Sequence, residues 1–316
     1  MIDELKAVLL QSAAEWNVPA QNNWRFLFFN NYQPNYSTMT VLWFDEGGSF
    51  PRVVTKVFRD STVPKQEWEN LSFIQSRIPR VAPRPLRFGP AGKFWALWME
   101  GLPGLPLSSQ STYSRQVLRS IVESVISMHA AVRKPAGFES GDRHARLVTA
   151  PLQALADYGD STVVRGGCAR LAAALPAEAL QSLSVVPQHG DLFDGNALID
   201  HDRCRLLDWE TYGILDLPFY DLVTLFYSML RRRGDSPGAW DSSLVTEIAP
   251  LTSHYAAALE IPRPLLRALV PLSLANWFHI HWRDGRKDFA SRMYRTIEAC
   301  FQDPAAWELA FLGRAA

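Results

Sequence analysis

The chain has 316 residues, 47% of them hydrophobic and 20% charged, which is enough to bury one large core or two smaller ones. Its 32 basic and 32 acidic side chains cancel, which argues against a dedicated nucleic-acid binder with a basic stripe. Three widely spaced cysteines predict neither a disulfide framework nor a metal knuckle. The acidic N-terminus is unlike a signal peptide, and no apolar run is long enough to cross a bilayer. We therefore expect a cytoplasmic protein with no membrane or nucleic-acid partner.

The first hundred residues are rich in short β-type runs that follow an amphipathic N-terminal helix. Gly47 and Gly48 predict a hairpin turn between two of these runs. A helix is predicted from Pro64 to about Arg77, because proline is tolerated in a first helical turn. The arginine-rich stretch 77–87 is interpreted as a solvated surface. The predicted strands cover 24–29, 38–44, 52–58 and 94–100.

The rest of the chain is mainly helical. The Gly- and Pro-rich segment 101–107 is the predicted hinge, and a strand pair at 197–200 and 204–209 interrupts the helical patterns. The fold class is therefore α+β, with a small β-rich lobe over 1–100 and a larger helical lobe over 101–316. Clefts between such lobes are common ligand sites. Helices are predicted over 116–132, 150–158, 167–182, 217–231, 243–259, 264–283 and 287–301.

The stretch HGDLFDGNALIDHDRCRLLDWE at 189–210 carries the most chemical information. A turn over 200–203 pairs Ile199 with Cys204 and puts Asn196 opposite Leu207, so that Asp208 lies beside Asn196. The loop that holds Asp191 enters at the same end of the hairpin. Two carboxylates and an amide oxygen would then converge, and such hard oxygen ligands suit Mg²⁺.

A second pattern joins a strand lysine to a helix glutamate. Lys56 shares a strand face with Val54 and Phe58, and a buried ammonium group needs a partner. On the following helix Glu67 lies on the apolar stripe, whereas Glu69 lies on the opposite side. We expect Lys56 and Glu67 to form an ion pair, although an exposed lysine and an edge glutamate would fit the same pattern.

These motifs resemble the aminoglycoside-phosphotransferase and choline-kinase-like family, whose fold is the bilobal protein-kinase-like fold. His189-Gly190-Asp191-Leu192 followed by Asn196 is similar to the catalytic loop of that family. Leu207-Asp208-Trp209-Glu210 is similar to its metal-binding motif. Met99-Glu100-Gly101 with the following Gly/Pro segment is similar to its hinge, and Ser127-Met128-His129 to the end of its long helix. The order of the motifs agrees over most of the chain.

The resemblance implies a transferase that uses ATP, or another nucleoside triphosphate, and Mg²⁺. Asp191 would accept or orient the proton of a substrate hydroxyl, and Asn196 and Asp208 would hold the Mg²⁺. His189 and Asp221 would brace the loop, and the role of Glu210 stays open. The nucleotide would be bound by Lys56 with Glu67, and by the backbone of Met99 to Gly101.

The segment expected to cover the phosphates departs from this pattern. It reads NNYQPNYST at 30–38 and has no glycine, although glycines let backbone N–H groups approach a phosphate closely. Ser37 or Asn35 would then contact the phosphate instead, or the loop would be looser. The preference between ATP and GTP is therefore open.

Several functions remain compatible with the motifs. The favoured one is a small-molecule kinase that phosphorylates a hydroxyl group of a sugar, an amino alcohol or a similar metabolite. An aminoglycoside antibiotic kinase, a nucleotide-binding pseudokinase or scaffold, and a metal-dependent hydrolase are the alternatives. A pseudokinase typically lacks the catalytic Asp, the metal-binding Asp or the Lys, whereas this chain has all three. A hydrolase would not explain the predicted pair of Lys56 and Glu67. The motifs determine neither the acceptor nor the oligomeric state.

Overall fold

A computed structural model describes residues 1–19, 23–30, 39–137, 142–201, 203–232, 234 and 237–313. The chain forms two compact units that differ in their secondary structure. The first consists of Met1–Ser109 and Asn196–Tyr212, and the second of Gln110–Gly195 and Gly213–Ala316. None of the described helices is long and apolar enough to span a bilayer.

The first unit is built on a five-stranded antiparallel sheet with the order β1-β2-β3-β5-β4. Four of its strands confirm the sequence prediction, and the fourth in chain order was missed. That strand contains Pro85 and Pro90 and lies at the sheet edge, where a missing N–H is tolerated. Arg77, Arg80 and Arg84 of the arginine-rich stretch are exposed, as predicted, and the Arg84 side chain also donates to the carbonyl of Trp16 at 2.8 Å. The strands are β1 (Arg25–Asn30), β2 (Met39–Phe44), β3 (Val53–Phe58), β4 (Pro85–Ala91) and β5 (Phe94–Glu100).

Two helices cover this sheet. Helix α1 (Ile2–Ser12) buries Leu5 and Leu9 in one cluster with Trp43 of the sheet. Helix α2 (Thr62–Arg77) buries its own apolar stripe, in which Leu71 and Ile74 are fully covered. Burying a leucine side chain contributes roughly 1.5–3 kcal/mol, so these stripes hold both helices to the core of the first unit.

The predicted hinge segment contains a short strand. Strand β6 (Leu105–Pro106) pairs with β7 (Ala197–Asp200), which pairs in turn with β8 (Arg203–Leu206). This pairing explains why Asn196–Tyr212 belongs to the first unit, and why that unit ends at Ser109 rather than at residue 100. The division into a nucleotide lobe over 1–100 and a substrate lobe over 101–316 stays a prediction.

The second unit is helical, and most of its helices match the predicted ranges. The predicted helix over 167–182 is instead two helices with an earlier start, because the Ser161 side chain caps the first one and Pro176 interrupts the pattern. A last helix, capped by Asp303, was not predicted. The helices are α3 (Arg115–Val132), α4 (Ala150–Tyr158), α5 (Thr162–Ala174), α6 (Ala177–Gln181), α7 (Tyr220–Leu230), α8 (Ser242–Ala258), α9 (Arg263–Arg283), α10 (Lys287–Gln302) and α11 (Pro304–Leu312).

Candidate active site

The predicted lysine–glutamate pair is present in the first unit. The Nζ atom of Lys56 lies 2.6 Å from Oε1 of Glu67, and the Glu67 residue is fully buried. The predicted helix phase is confirmed, because Glu69 is exposed and its nearest cation is Lys65, 3.9 Å away. The side chain of Lys56, the one lysine of β3, therefore points towards the apolar face of α2.

The same lysine contacts the predicted metal-binding aspartate. Lys56 Nζ lies 2.6 Å from Oδ1 of Asp208, so one ammonium group bridges two carboxylates. Burial by itself would lower the pKa of Lys56, but the charges of Asp208, Glu67 and Glu210 outweigh it and raise the pKa well above its ordinary range. The lysine therefore stays charged at any physiological pH.

The hairpin has the register predicted from sequence. Ile199 faces Cys204, and the N–H of Leu207 donates to the carbonyl of Asn196 at 2.8 Å. Asp208 follows directly, and its φ of +67° lies in the left-handed region, which is uncommon for a residue other than glycine. This backbone conformation has no signal in the sequence.

Helix α2 also holds the residue after Asp208. Trp209 is fully buried, and its carbonyl accepts a hydrogen bond from the side chain of Asn70 at 2.8 Å. Asn70 lies three residues after Glu67, so both side chains project from the same face of α2. Sequence reasoning missed Asn70, and its signal was a polar side chain on an otherwise apolar stripe.

The carboxylates of this cluster are suited to a divalent cation. Oxygen atoms of Glu67, Asp208 and Glu210 all lie within 4.8 Å of one another. The charge of Glu210 also acts on Lys56, which places this side chain beside the cluster. Asn196, at the start of the paired strand, is 9% exposed. Mg²⁺ prefers such hard oxygen donors, so the residues present fit a magnesium ion.

The catalytic-loop motif lies in the second unit and is braced by Asp221. The backbone N–H groups of His189 and Gly190 donate to its carboxylate at 2.6 and 3.0 Å. His129 Nε2 lies 3.0 Å from the same carboxylate, and His129 Nδ1 lies 2.7 Å from the hydroxyl of Tyr255. The predicted bracing role of Asp221 is thus confirmed. This buried network fixes the backbone just before Asp191.

Further residues of α7 hold the loop beyond Asp191. The hydroxyl of Thr224 donates to the carbonyl of Leu192 at 2.8 Å, and the hydroxyl of Ser228 accepts from the N–H of Asp194 at 2.9 Å. Sequence reasoning missed both residues, although they are polar side chains four apart on a helix that is otherwise almost wholly apolar. Asp191 itself is half-buried and lies between these anchored segments.

The other predicted nucleotide contacts are Ser37 and the backbone of Met99 to Gly101. Ser37 lies outside the described residues. The Met99 to Gly101 segment ends β5, where the N–H groups of Glu100 and Gly101 donate to the carbonyls of Arg84 and Arg52 at 2.8 and 2.9 Å. These two donors are therefore used in sheet pairing. The predicted adenine contact would therefore use other backbone groups than these two.

The fold and these two clusters define the class of protein. A strand lysine paired with a helix glutamate, an aspartate at a strand end and an Asp-containing loop are the parts that protein-kinase-like phosphotransferases use. The predicted fold class, α+β and protein-kinase-like, is confirmed by the comparisons with known proteins.

The chain belongs to the phosphotransferase enzyme family, because the model of that family matches residues 42–244, more than half of the sequence. This membership supports a small-molecule phosphotransferase. No curated protein matches the sequence.

Several solved structures share the fold at low sequence identity. A choline kinase from Cryptosporidium parvum Iowa II is 14% identical, with 99% of each chain covered and a TM-score of 0.64. The aminoglycoside phosphotransferase APH(4)-Ia, in a ternary complex with ADP and hygromycin B, is 17% identical, with 95% of this chain and 99% of that chain covered and a TM-score of 0.63. The aminoglycoside phosphotransferase APH(3'')-Id from Streptomyces rimosus is 17% identical, with 88% and 100% covered and a TM-score of 0.51. At these identities the likeness shows the fold alone.

Proposed function

We propose that the protein is an ATP- and Mg²⁺-dependent kinase that transfers the γ-phosphoryl group to a hydroxyl group of a small molecule. The observation that carries this proposal is the bridged cluster of Lys56, Glu67 and Asp208, in which one charged lysine lies 2.6 Å from both carboxylates. An isolated surface lysine would not need two partners, one of them fully buried. The proposed setting is the cytoplasm, which supplies ATP.

Lys56 and the oxygen donors would have different roles in nucleotide binding. Lys56 would contact the phosphate oxygens, and Glu67 would keep it in place. Asp208 and Asn196 would hold the magnesium ion, with Glu210 beside them. When bound, the ion would neutralise negative charge on the phosphate groups. Complexes of neighbours with ADP and with AMP-PNP support nucleotide binding at this fold.

Asp191 would act on the acceptor. Its carboxylate would accept the proton of the substrate hydroxyl, or orient that hydroxyl, as the hydroxyl oxygen attacks the γ-phosphorus. The bond from the γ-phosphorus to the β-phosphate oxygen then breaks, and ADP leaves. The loop is anchored by hydrogen bonds on both sides of Asp191, through Asp221 before it and through Thr224 and Ser228 after it. An acid or base must stay within hydrogen-bond reach of its proton, so an anchored loop favours this role.

The charge pattern favours a neutral or singly charged acceptor. Residues 101–316 contain 23 acidic and 21 basic side chains, whereas a polycation is best served by an acidic cleft. Many acidic side chains of the second unit already have partners: Asp194 with Arg232, Asp216 with Arg143 and Arg146, Glu247 with Arg115, Glu260 with Arg133 and Glu308 with Arg267.

A second candidate is an aminoglycoside kinase. It is favoured by the several aminoglycoside phosphotransferases among the similar structures. Purified protein with ATP or GTP should be offered aminoglycosides, sugars, choline-like alcohols and hydroxy amino acids, with nucleotide consumption as the readout. We expect consumption only when a neutral or singly charged alcohol is present. Turnover of several aminoglycosides with no other acceptor would select the second candidate, and tight nucleotide binding without any turnover would select a pseudokinase.

The first prediction tests Asp191 directly. Asp191→Asn should lower kcat by roughly 10²–10⁴-fold, the range for a lost general base, while nucleotide affinity by calorimetry stays near that of the wild type. Asp200→Asn, on strand β7 of the first unit, is the matched control and should be close to silent. An Asp191→Asn variant with normal turnover of the best acceptor would remove Asp191 from the proposed mechanism.

A further inference from the structure

The far end of the catalytic loop carries an ion pair that the proposed chemistry does not use. Asp194 lies three residues after Asp191 and is only 7% exposed. Its Oδ2 atom lies 3.2 Å from Nε of Arg232. A carboxylate that is buried to this degree needs a cation as its partner.

Arg232 continues a row of side chains along α7. Asp221, Thr224, Ser228 and Arg232 follow one another at intervals of three, four and four, which is the spacing of one helix face. Their partners are successive groups of the loop over 189–194. The first three contacts are made to the loop backbone. Arg232 instead contacts the side chain of Asp194, and Arg232 lies just past the end of the helix.

The same guanidinium also reaches a third part of the second unit. Its Nη1 atom donates to the carbonyl of Gln110 at 2.9 Å and to the hydroxyl of Tyr113 at 2.7 Å. The planar group of arginine can make these bonds at the same time as the ion pair, because its donors have a fixed fork geometry. Arg232 thus ties the loop end to the segment that precedes α3.

We propose that the Asp194–Arg232 pair positions the catalytic loop and so holds the Asp191 carboxylate in its working place. This inference rests on the proposed function, because the loop position matters for the rate only if Asp191 acts on the acceptor. Both members are positioning residues that act through Asp191. A shift of about 1 Å in a reacting group can lower a rate by up to about 10²-fold, so a loosened loop end should be visible in kcat.

The test compares Arg232→Ala with Arg231→Ala. The two variants remove the same charge at adjacent positions, but only Arg232 makes the bonds to Asp194, Gln110 and Tyr113. We expect Arg232→Ala to lower kcat about 10-fold and to leave the ATP KM within about 2-fold, because the nucleotide contacts are untouched. Amide hydrogen exchange should become faster in peptides that cover 191–195. Arg231→Ala should match the wild type in both measurements.

A second variant separates positioning from simple loss of stability. In Asp194→Asn/Arg232→Ala the uncompensated buried charge is gone, so the Tm should recover towards that of the wild type. The contact between the side chains at positions 194 and 232 is still missing, so kcat should stay low. Recovery of kcat together with Tm would overturn the proposal, and so would unchanged kcat or unchanged exchange in Arg232→Ala.

The exchange measurement also keeps this inference separate from the proposed function. If the wild type transfers phosphate to no alcohol, the proposed function fails. The exchange comparison between Arg232→Ala and Arg231→Ala still decides whether the pair holds the loop. Equal exchange in the two variants would then overturn the inference by itself.

Discussion

Glu67 and Glu69 lie two residues apart on α2, yet they have opposite surroundings. Glu67 is fully buried against Lys56, and Glu69 is exposed. Glu67→Ala should therefore raise the ATP KM as Lys56→Ala does, because the lysine loses the partner that holds it. Glu69→Ala should change the KM little, since an exposed ion pair contributes about 0–1 kcal/mol. Steady-state kinetics with varied ATP is the measurement, and a larger effect from Glu69→Ala would contradict the assignment.

Asp208 and Asn196 give a second prediction for single residues. Asp208→Ala should abolish the dependence of nucleotide binding on Mg²⁺, because it removes the proposed carboxylate ligand of the ion from the donor cluster. Asn196→Ala should weaken that dependence without removing it, since an amide oxygen is a neutral ligand. Calorimetric titration of ATP with and without Mg²⁺ distinguishes the two variants. If Asp208→Ala keeps the dependence of the wild type, the metal is held elsewhere.

Among the elements, the segment from β5 to β6 shows how close packing restricts the chain. Gly104 has φ +118°, and a Cβ atom at this position would lie 2.7 Å from the carbonyl oxygen of Ile199 on the paired strand. Gly101 is equally restricted, because a Cβ atom there would meet the backbone of Pro51. The predicted hinge is therefore a segment in close backbone contact with its neighbours.

The consequence for stability can be measured at Gly104. Gly104→Ala should lower the free energy of unfolding by roughly 1–3 kcal/mol, because it adds backbone strain and a clash with β7. Gly238→Ala is the matched control, since no described residue other than its chain neighbours lies within 4 Å of a Cβ atom at that position. Thermal or urea unfolding measures both variants. A Gly104→Ala variant as stable as Gly238→Ala would show that β6 can separate from β7 at little cost.

For the molecule as a whole, a buried histidine predicts how stability depends on pH. His281 of α9 is 5% exposed and packs against Phe289, with ring centroids 4.1 Å apart. Burial lowers the pKa of His281 from 6.5 to about 4. Between these values the unfolded chain binds a proton that the folded chain does not, so stability falls as the pH falls. The stability from this group is complete above about pH 6.5, and its loss by pH 4 is roughly 3 kcal/mol.

The matching experiment is urea unfolding of the wild type and of His281→Leu from pH 7 to pH 4. Protonation of carboxylates lowers the free energy of unfolding of both proteins at acid pH. The difference between their two free energies therefore reports the contribution of His281. That difference should shift in favour of His281→Leu by roughly 2–3 kcal/mol between pH 7 and pH 4. His201→Asn, at an exposed position in the hairpin turn, should follow the wild type. Parallel curves for His281→Leu and the wild type would contradict the prediction.

Several features were determined by the sequence alone because they depend on short-range periodicity. The register that pairs Ile199 with Cys204 follows from the turn position, since strand residues alternate with period two. The pairing of Lys56 with Glu67 follows from one strand period and one helix period. The same periodicities predicted most of the helices, the β-rich first unit and the fold class.

Other features were decided only by the tertiary structure, because they join residues far apart in sequence. Strand β4 forms because β5 offers it a partner, against the local preference of its two prolines. Asp208 adopts its left-handed conformation where α2 holds Trp209. In the sequence, Arg232 is one of several basic residues at a helix end. Only in the folded chain does Asp194 lie 3.2 Å from it. Local patterns show which side chains are able to do chemistry, but long-range packing determines which groups hold them in place.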